Sequence, residues 1–144
     1  SKDEERQILR SSARTEPVKF KKSKIKATAI TKAQKSINDI YVDEKVEEYI
    51  LNLVFSTRNP EDYNLGDLSQ LIENGASPRA SISLILASKA RAFLEGRGYI
   101  TPEDVRFIGK DVLRHRIILS YEAEAEEISS EDIIQRMFDS IEIP

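Results

Sequence analysis

The chain has 144 residues, of which 40% are hydrophobic and 33% are charged, and its formal net charge is −3. This composition is typical of one soluble globular domain, and no apolar run approaches the roughly 18 residues of a transmembrane helix. With no cysteine and a single histidine, the chain excludes disulfides and gives no support to a zinc site, so we predict no metal ligands and a cytoplasmic location.

Charge is distributed unevenly along the chain. Residues 1–36 carry 11 Lys or Arg against 4 Asp or Glu, whereas residues 37–144 carry 11 against 21. An acidic body argues against duplex DNA as the main partner. The basic arm, residues 18–26, alternates apolar and lysine positions, which is compatible with an edge strand. It is also compatible with a solvated linker or a contact to nucleic acid or an acidic partner, and we favour the linker.

Three helices are predicted before residue 60. Residues 1–12 form the first, because Ser1 and Glu4 have capping-box spacing. Residues 30–40 form the second, which begins near residues 28–31. Asp43 caps the third, which ends near Arg58. Apolar residues at helical spacing predict the inward faces of the second and third helices: Ala33, Ile37, Ile40, and then Val46, Tyr49, Ile50, Leu53 and Val54.

A fourth helix follows the long connection of residues 59–75. Ser77 is its predicted N-cap and Pro78 its first residue, since proline has no N–H to leave unpaired there. Its apolar content predicts the most buried helix of the domain, ending at Gly96. Arg79 is unusual, because a cation in the first turn opposes the helix dipole by roughly 0.3–1 kcal/mol. Two hypotheses remain open: a surface arginine paired with a carboxylate, or an anion held by guanidinium and helix N-terminus together.

The remaining elements are predicted from their caps. Thr101 caps a fifth helix in which Pro102 is the first residue and Asp104 completes a capping box. Residues 116–120 are either a frayed helix end or a short strand, and residues 121–127 lie on the surface. Ser129 opens a final helix. His115 is predicted to be structural and bonded to backbone. The predicted inward positions of the fifth and final helices are Val105, Ile108, Val112, Ile133, Ile134, Met137, Phe138 and Ile141.

Four stretches together carry a family resemblance. They are Gly-Ala-Ser-Pro-Arg-Ala-Ser at 75–81, Gly-Arg-Gly-Tyr-Ile-Thr-Pro-Glu-Asp-Val at 96–105, Val-Leu-Arg-His-Arg at 112–116, and the closing Ile-Glu-Ile-Pro. In this order and helical context the chain from about residue 40 onward resembles the C-terminal helical lid of MoxR-type AAA+ ATPases. In that family the arginine of Ser-Pro-Arg is the sensor-2 residue, which reaches the γ-phosphate of ATP. The matching position here is Arg79, on the helix N-terminus formed by Ser77 and Pro78.

The resemblance implies an organisation as well as a site. No Gly-x-x-x-x-Gly-Lys-[Ser/Thr] loop occurs in the sequence, and in the family this motif lies upstream of the lid. The resemblance therefore implies an ATP- and Mg²⁺-dependent parent ATPase, and a chain that is inactive alone. Residues 1–27 would be a remnant of the ATPase core with a linker, and residues 28–144 the lid. The fold would be an all-α helical bundle, to which one short strand pair could be added.

Partners are also implied by the resemblance. They are the chain's own ATPase core, neighbouring subunits of an oligomeric ring, and proteins with von Willebrand A domains that a chaperone-like machine activates. Arg114 and Arg116 are further candidates for contacts with the core or a neighbour. Two other interpretations stay open: a helical DNA-binding module that uses the basic arm, and a protein-interaction domain in which Arg79 is merely a surface residue.

Overall fold

A computed structural model describes residues 1–13 and 24–144. Its helices are α1 (Lys2–Ser12), α2 (Ala27–Asn38), α3 (Glu44–Ser56), α4 (Pro78–Leu94), α5 (Pro102–Leu113), α6 (Tyr121–Ala125) and α7 (Ser130–Ser140). Two 3₁₀ turns, Pro60–Tyr63 and Gly66–Leu68, occupy the connection between α3 and α4. The strands β1 (Ile72–Asn74) and β2 (Ile118–Leu119) form a two-stranded antiparallel sheet. The predicted helical bundle with one short strand pair is confirmed.

The chain divides into two compact units, Ser1–Thr31 and Lys32–Pro144. In the first, Ser1 and Glu4 form the predicted capping box of α1, and Ile8 and Leu9 are exposed. Most of the basic arm, residues 18–23, lies outside the described residues, so its predicted strand or linker is not described. Among the helices of the described residues, none is long and apolar enough to cross a membrane.

The core of the second unit is built on α3. Asp43 caps this helix by accepting a hydrogen bond from the backbone N–H of Lys45 at 2.9 Å. All five predicted inward residues of α3 are buried: Val46, Tyr49, Ile50, Leu53 and Val54. In contrast, α2 contributes no buried residue; Ala33 and Ile37 are half-buried, and Ile40 is buried beyond the helix end.

Helix α4 packs between α3 and α5, but the prediction that it is the most buried helix is wrong. Its buried residues are Ala80, Leu84, Ser88 and Ala92, which recur every four residues along one face. Three of the four are small, so this face allows close approach to its neighbours. The bulky Ile82 and Leu86 lie elsewhere and are 59% and 52% exposed. Apolar content alone did not show which face of α4 would pack against other helices.

Helices α5 and α7 both begin with a capping box, as predicted: Thr101 with Asp104, and Ser129 with Asp132. The five predicted inward residues of the α7 region are all buried. The inward face of α5 differs, because Gly109 and Leu113 are buried while Ile108 and Val112 are only half-buried. Gly109 is required by space: a Cβ atom there would lie 2.3 Å from Cζ of Phe138 on α7.

Two long-range backbone ties fix the loops between helices. In the sheet, Ile72 pairs with Leu119 and Asn74 with Ile118, which settles residues 118–119 as strand rather than helix end. At Tyr41, the backbone N–H donates to the carbonyl of Gly98 at 2.9 Å, and the carbonyl accepts from Ile100 N–H at 3.1 Å. The predicted surface segment 121–127 contains α6, in which only Ala123 is buried.

Candidate functional site

The candidate site is the N-terminus of α4. Ser77 is the N-cap residue and Pro78 the first helical residue, as predicted. The Ser77 side chain makes no capping hydrogen bond, although its carbonyl accepts from Ala80 N–H at 2.8 Å. The caps of α5 and α7, by comparison, are closed by side chains. Within the described residues, the first turn of α4 therefore has backbone N–H groups without a side-chain acceptor, at the positive end of the helix dipole.

Arg79 lies in this first turn and is exposed. Among the described residues Arg79 has no hydrogen bond, ion pair or ring contact. The first of the two hypotheses, a surface arginine paired with a carboxylate, therefore finds no such carboxylate there. Each of the other arginines between residues 32 and 144 has such a contact: Arg58, Arg91, Arg97, Arg106, Arg114, Arg116 and Arg136. The guanidinium of Arg79 thus has its hydrogen-bond donors directed at solvent or at a group outside the described residues.

The surface next to Arg79 combines charge with exposed apolar area. Ile82 and Leu86 follow Arg79 by three and seven residues, which places them on the same side of α4. Ser83, one turn after Arg79, accepts a hydrogen bond from Nη2 of Arg116 at 3.0 Å. Arg116 is therefore anchored to the helix that carries Arg79.

Arg114 and His115, which precede Arg116 in the 112–116 motif, lie in different surroundings. Arg114 forms ion pairs with Asp111 and with Glu131, the latter at 3.0 Å, so its charge is already compensated. His115 is exposed, and its Nε2 contacts the guanidinium of Arg116. No hydrogen bond from His115 to backbone is found in the described ranges, so the predicted backbone bond is wrong, and His115 contacts the neighbouring Arg116 side chain instead.

Sequence analysis missed an ion cluster at the junction of α4 and α5. Asp104 is 1% exposed and accepts hydrogen bonds from Nε of Arg91 at 3.1 Å and from both terminal nitrogens of Arg97 at 2.7 and 2.6 Å. Burial alone would raise the pKa of Asp104, but the bonds from Arg97 and Thr101 outweigh burial and hold this pKa below its usual range. The Arg91 guanidinium also lies 3.4 Å from the ring centroid of Phe107. The capping-box pattern identified Asp104 as a cap but gave no sign of the two arginines.

A polar cavity of about 370 Å³ lies behind the loop that leads into α4. Its lining includes Thr57, Arg58, Glu61, Glu73 and Gly75. No group of three or more His, Cys, Asp or Glu that could hold a metal ion occurs within the described ranges 1–13 and 24–144. In the described part of the chain, the start of α4 thus combines an exposed arginine with backbone N–H groups that the Ser77 side chain does not cap.

Comparison with known proteins defines the class of this fold. Residues 67–137 match the AAA lid domain family, and these residues include the whole of the candidate site. A crystal structure assigned as an ATPase from Cytophaga hutchinsonii superposes with a TM-score of 0.86 at 36% identity, covering 100% of this chain and 44% of that one. The helical bundle is thus an AAA lid.

Relatives narrow the class further. The chain is 35% identical over 144 residues to the chaperone MoxR1 of Mycobacterium tuberculosis, covering 38% of its length. It is 37% identical over 79 residues to the protein MoxR of Methylorubrum extorquens, covering 23% of it. The chain is also 28% identical over 142 residues to the protein YeaC of Bacillus subtilis, covering 42% of the length of YeaC. The chain belongs to the MoxR-type AAA+ ATPases, as their helical lid, and it spans about two fifths of the length of the relatives that match it throughout.

Proposed function

We propose that this lid closes over ATP bound to an AAA+ ATPase core, and that Arg79 is the sensor-2 residue that contacts the γ-phosphate. The observation that carries the proposal is that Arg79 is exposed, has no partner within the described residues, and lies on a helix N-terminus without a side-chain cap. Guanidinium donors and free backbone N–H groups both favour a phosphate oxygen there. A cation that reaches the transferring phosphoryl group stabilises the charge developing in the transition state.

The chemistry of the site fits the nucleotide and not the metal. Arg79 supplies donors for an anion, whereas the described residues hold no acidic cluster for Mg²⁺. In this proposal Mg²⁺ ligands and the phosphate-binding loop belong to the ATPase core, and the lid contributes the charge of Arg79. Turnover by the whole protein therefore depends on the lid, while the 144-residue chain alone has no activity.

We also propose where the lid contacts the rest of its machine. The exposed side of α4 that carries Arg79 also presents Ile82 and Leu86, and a surface that mixes apolar area with a cation suits a protein interface. This side would meet the chain's own core or a neighbouring subunit of a ring, with Arg116 beside it. Activation of partner proteins, including those with von Willebrand A domains, rests on the chaperone name of a relative and on the family resemblance.

The decisive experiment replaces Arg79 with alanine in a full-length ATPase that carries this lid. ATP turnover should fall on the order of 10²-fold, as when one charge-stabilising donor is removed from an active site. The free energy of unfolding should change by less than about 0.5 kcal/mol, because Arg79 is exposed and has no partner within the described residues. Steady-state phosphate release and a thermal melt measure the two quantities.

Two control variants separate sensing from stability. Arg136→Ala removes another exposed arginine, which pairs with Asp67 at 2.9 Å, and should leave turnover unchanged. Leu84→Ala removes a fully buried side chain and should cost about 2–5 kcal/mol of stability. If Arg79→Ala melts the lid, or leaves turnover intact, Arg79 has no sensor role. Duplex DNA binding that weakens steeply with salt would instead support the DNA-binding alternative.

A further inference from the structure

The loop that leads into α4 and Arg79 is attached to the end of α3 through one hydroxyl group. Thr57 is the C-cap residue of α3 and is 1% exposed. Its Oγ1 donates a hydrogen bond to the carbonyl of Val54 at 2.6 Å and accepts one from the backbone N–H of Ala76 at 2.8 Å. A hydroxyl can donate and accept at once, whereas an alkyl group of the same shape can do neither. Thr57 therefore ties α3 to the residue just before the N-cap of α4.

A close backbone contact adds a second constraint on the same loop. A Cβ atom on Gly75 would lie 2.3 Å from the carbonyl oxygen of Thr57 and 2.6 Å from its carbonyl carbon. These are backbone atoms of a residue that is itself buried, so they cannot swing aside as a flexible side chain would. Glycine is needed at position 75 because only hydrogen fits the gap.

The chain from this clamp to Arg79 has little freedom. Ala76 and Ala80 are fully buried on either side of the segment, and Pro78 fixes its own φ angle. Ser77 does not hold the helix start with its side chain. The contacts of residues 75 and 76 with Thr57 therefore take over the fixing function that a capping side chain performs in α5 and α7.

We propose that Thr57 and Gly75 are positioning residues for Arg79. Together they fix the position and direction of the Arg79 guanidinium relative to α3. The inference rests on the sensor role of Arg79 proposed above. It assigns a function to a buried threonine at the end of a different helix, 22 positions before Arg79 in the sequence. Neither residue touches the nucleotide in this proposal; both act through the loop.

The test uses Thr57→Val and Thr57→Ser in the full-length ATPase. Valine keeps the shape of threonine and leaves Ala76 N–H without an acceptor, whereas serine keeps the hydroxyl. We expect Thr57→Val to lower kcat on the order of tenfold or more, since misplacing an active group by about 1 Å can cost up to about 10²-fold. Thr57→Ser should stay within about twofold of the unchanged protein. Gly75→Ala, which forces the same loop away from Thr57, should lower kcat as Thr57→Val does.

A double variant distinguishes positioning from general weakening. In an Arg79→Ala background, Thr57→Val should cause no further loss of kcat, because there is no guanidinium left to position. Met137→Ala, which removes a fully buried side chain of α7, supplies a lid with a lowered Tm and an intact Arg79 loop. For each degree by which Tm falls, Met137→Ala should lose less kcat than Thr57→Val loses.

Each outcome points to one conclusion. If Arg79→Ala has no effect, the sensor role itself fails. If Arg79→Ala lowers kcat while Thr57→Val leaves it unchanged, or lowers it equally in the Arg79→Ala background, only the positioning role fails. The positioning role also fails if Met137→Ala loses as much kcat as Thr57→Val for the same loss of Tm. If Thr57→Val does not fold, the kcat of Gly75→Ala, alone and combined with Arg79→Ala, decides the question in the same way.

Discussion

Removing the charge of Asp104 should destabilise the lid strongly, by a mechanism that can be isolated. Asp104→Asn keeps the size of the side chain and an oxygen for the capping box, but it leaves Arg91 and Arg97 without their shared carboxylate. Breaking a buried ion pair costs about 3–5 kcal/mol. Both arginines keep slightly over a quarter of their side-chain surface in water, so we expect the lower end, about 3 kcal/mol.

The measurement is a urea titration of the 144-residue chain, followed by far-ultraviolet circular dichroism. Asp132→Asn is the matched control, because Asp132 has the same capping-box position in α7 but is exposed, and no arginine of the described ranges forms an ion pair with it. Its substitution should cost clearly less than that of Asp104. Equal losses for the two variants would show that the arginines add nothing, and the reasoning would be refuted.

The pH dependence gives an independent check. The pKa of Asp104 is lowered in the folded protein from the ordinary value of 3.8, so the unfolded chain binds the proton more readily. The stability that Asp104 contributes is therefore fully present above pH 3.8 and is lost as the pH falls through the folded-state pKa. The gap in unfolding free energy between the unchanged chain and Asp104→Asn should narrow over that acidic range. A gap that stays constant would exclude the charge as its source.

Two further predictions follow from packing. Gly109→Ala should destabilise the lid by up to about 2 kcal/mol in the same titration, because a clash with Phe138 of roughly 1–3 kcal/mol outweighs the roughly 1 kcal/mol that alanine adds to helix propensity; a more stable variant would contradict this. Amide hydrogens of α1 should exchange faster than those of α4, since Ile8 and Leu9 are exposed whereas one whole face of α4 is buried. Equal protection of α1 and α4 would show that α1 belongs to the lid core.

Local signals in the sequence predicted most of the fold. A capping box spans only four residues, so the starts of α1, α5 and α7 could be located from the local patterns that begin at Ser1, Thr101 and Ser129. The inward face of α3 was equally accessible, because its apolar residues lie on a single stripe. In α4 apolar residues surround the helix, so periodicity could not distinguish the buried face from the exposed Ile82 and Leu86.

The chemistry around the candidate site was less accessible to sequence analysis. The position of Arg79 at a helix N-terminus could be predicted, since it depends on the adjacent Ser77 and Pro78. The tie from Thr57 to Ala76 spans 19 residues, and the ion pair between Arg91 and Asp104 spans 13. Contacts over such distances depend on how helices pack together, and no pattern within one helix encodes them.

The pair of backbone hydrogen bonds at Tyr41 has a consequence for the order in which the lid folds. Its two hydrogen bonds, to Gly98 and Ile100, join segments roughly sixty residues apart. Closing such a loop costs entropy before its own contacts can compensate for it, and non-local contacts of this kind slow folding. We expect the helices to form early and this closure to form late. On the ribosome, the lid should reach its fixed geometry only after Ile100 has emerged from the exit tunnel.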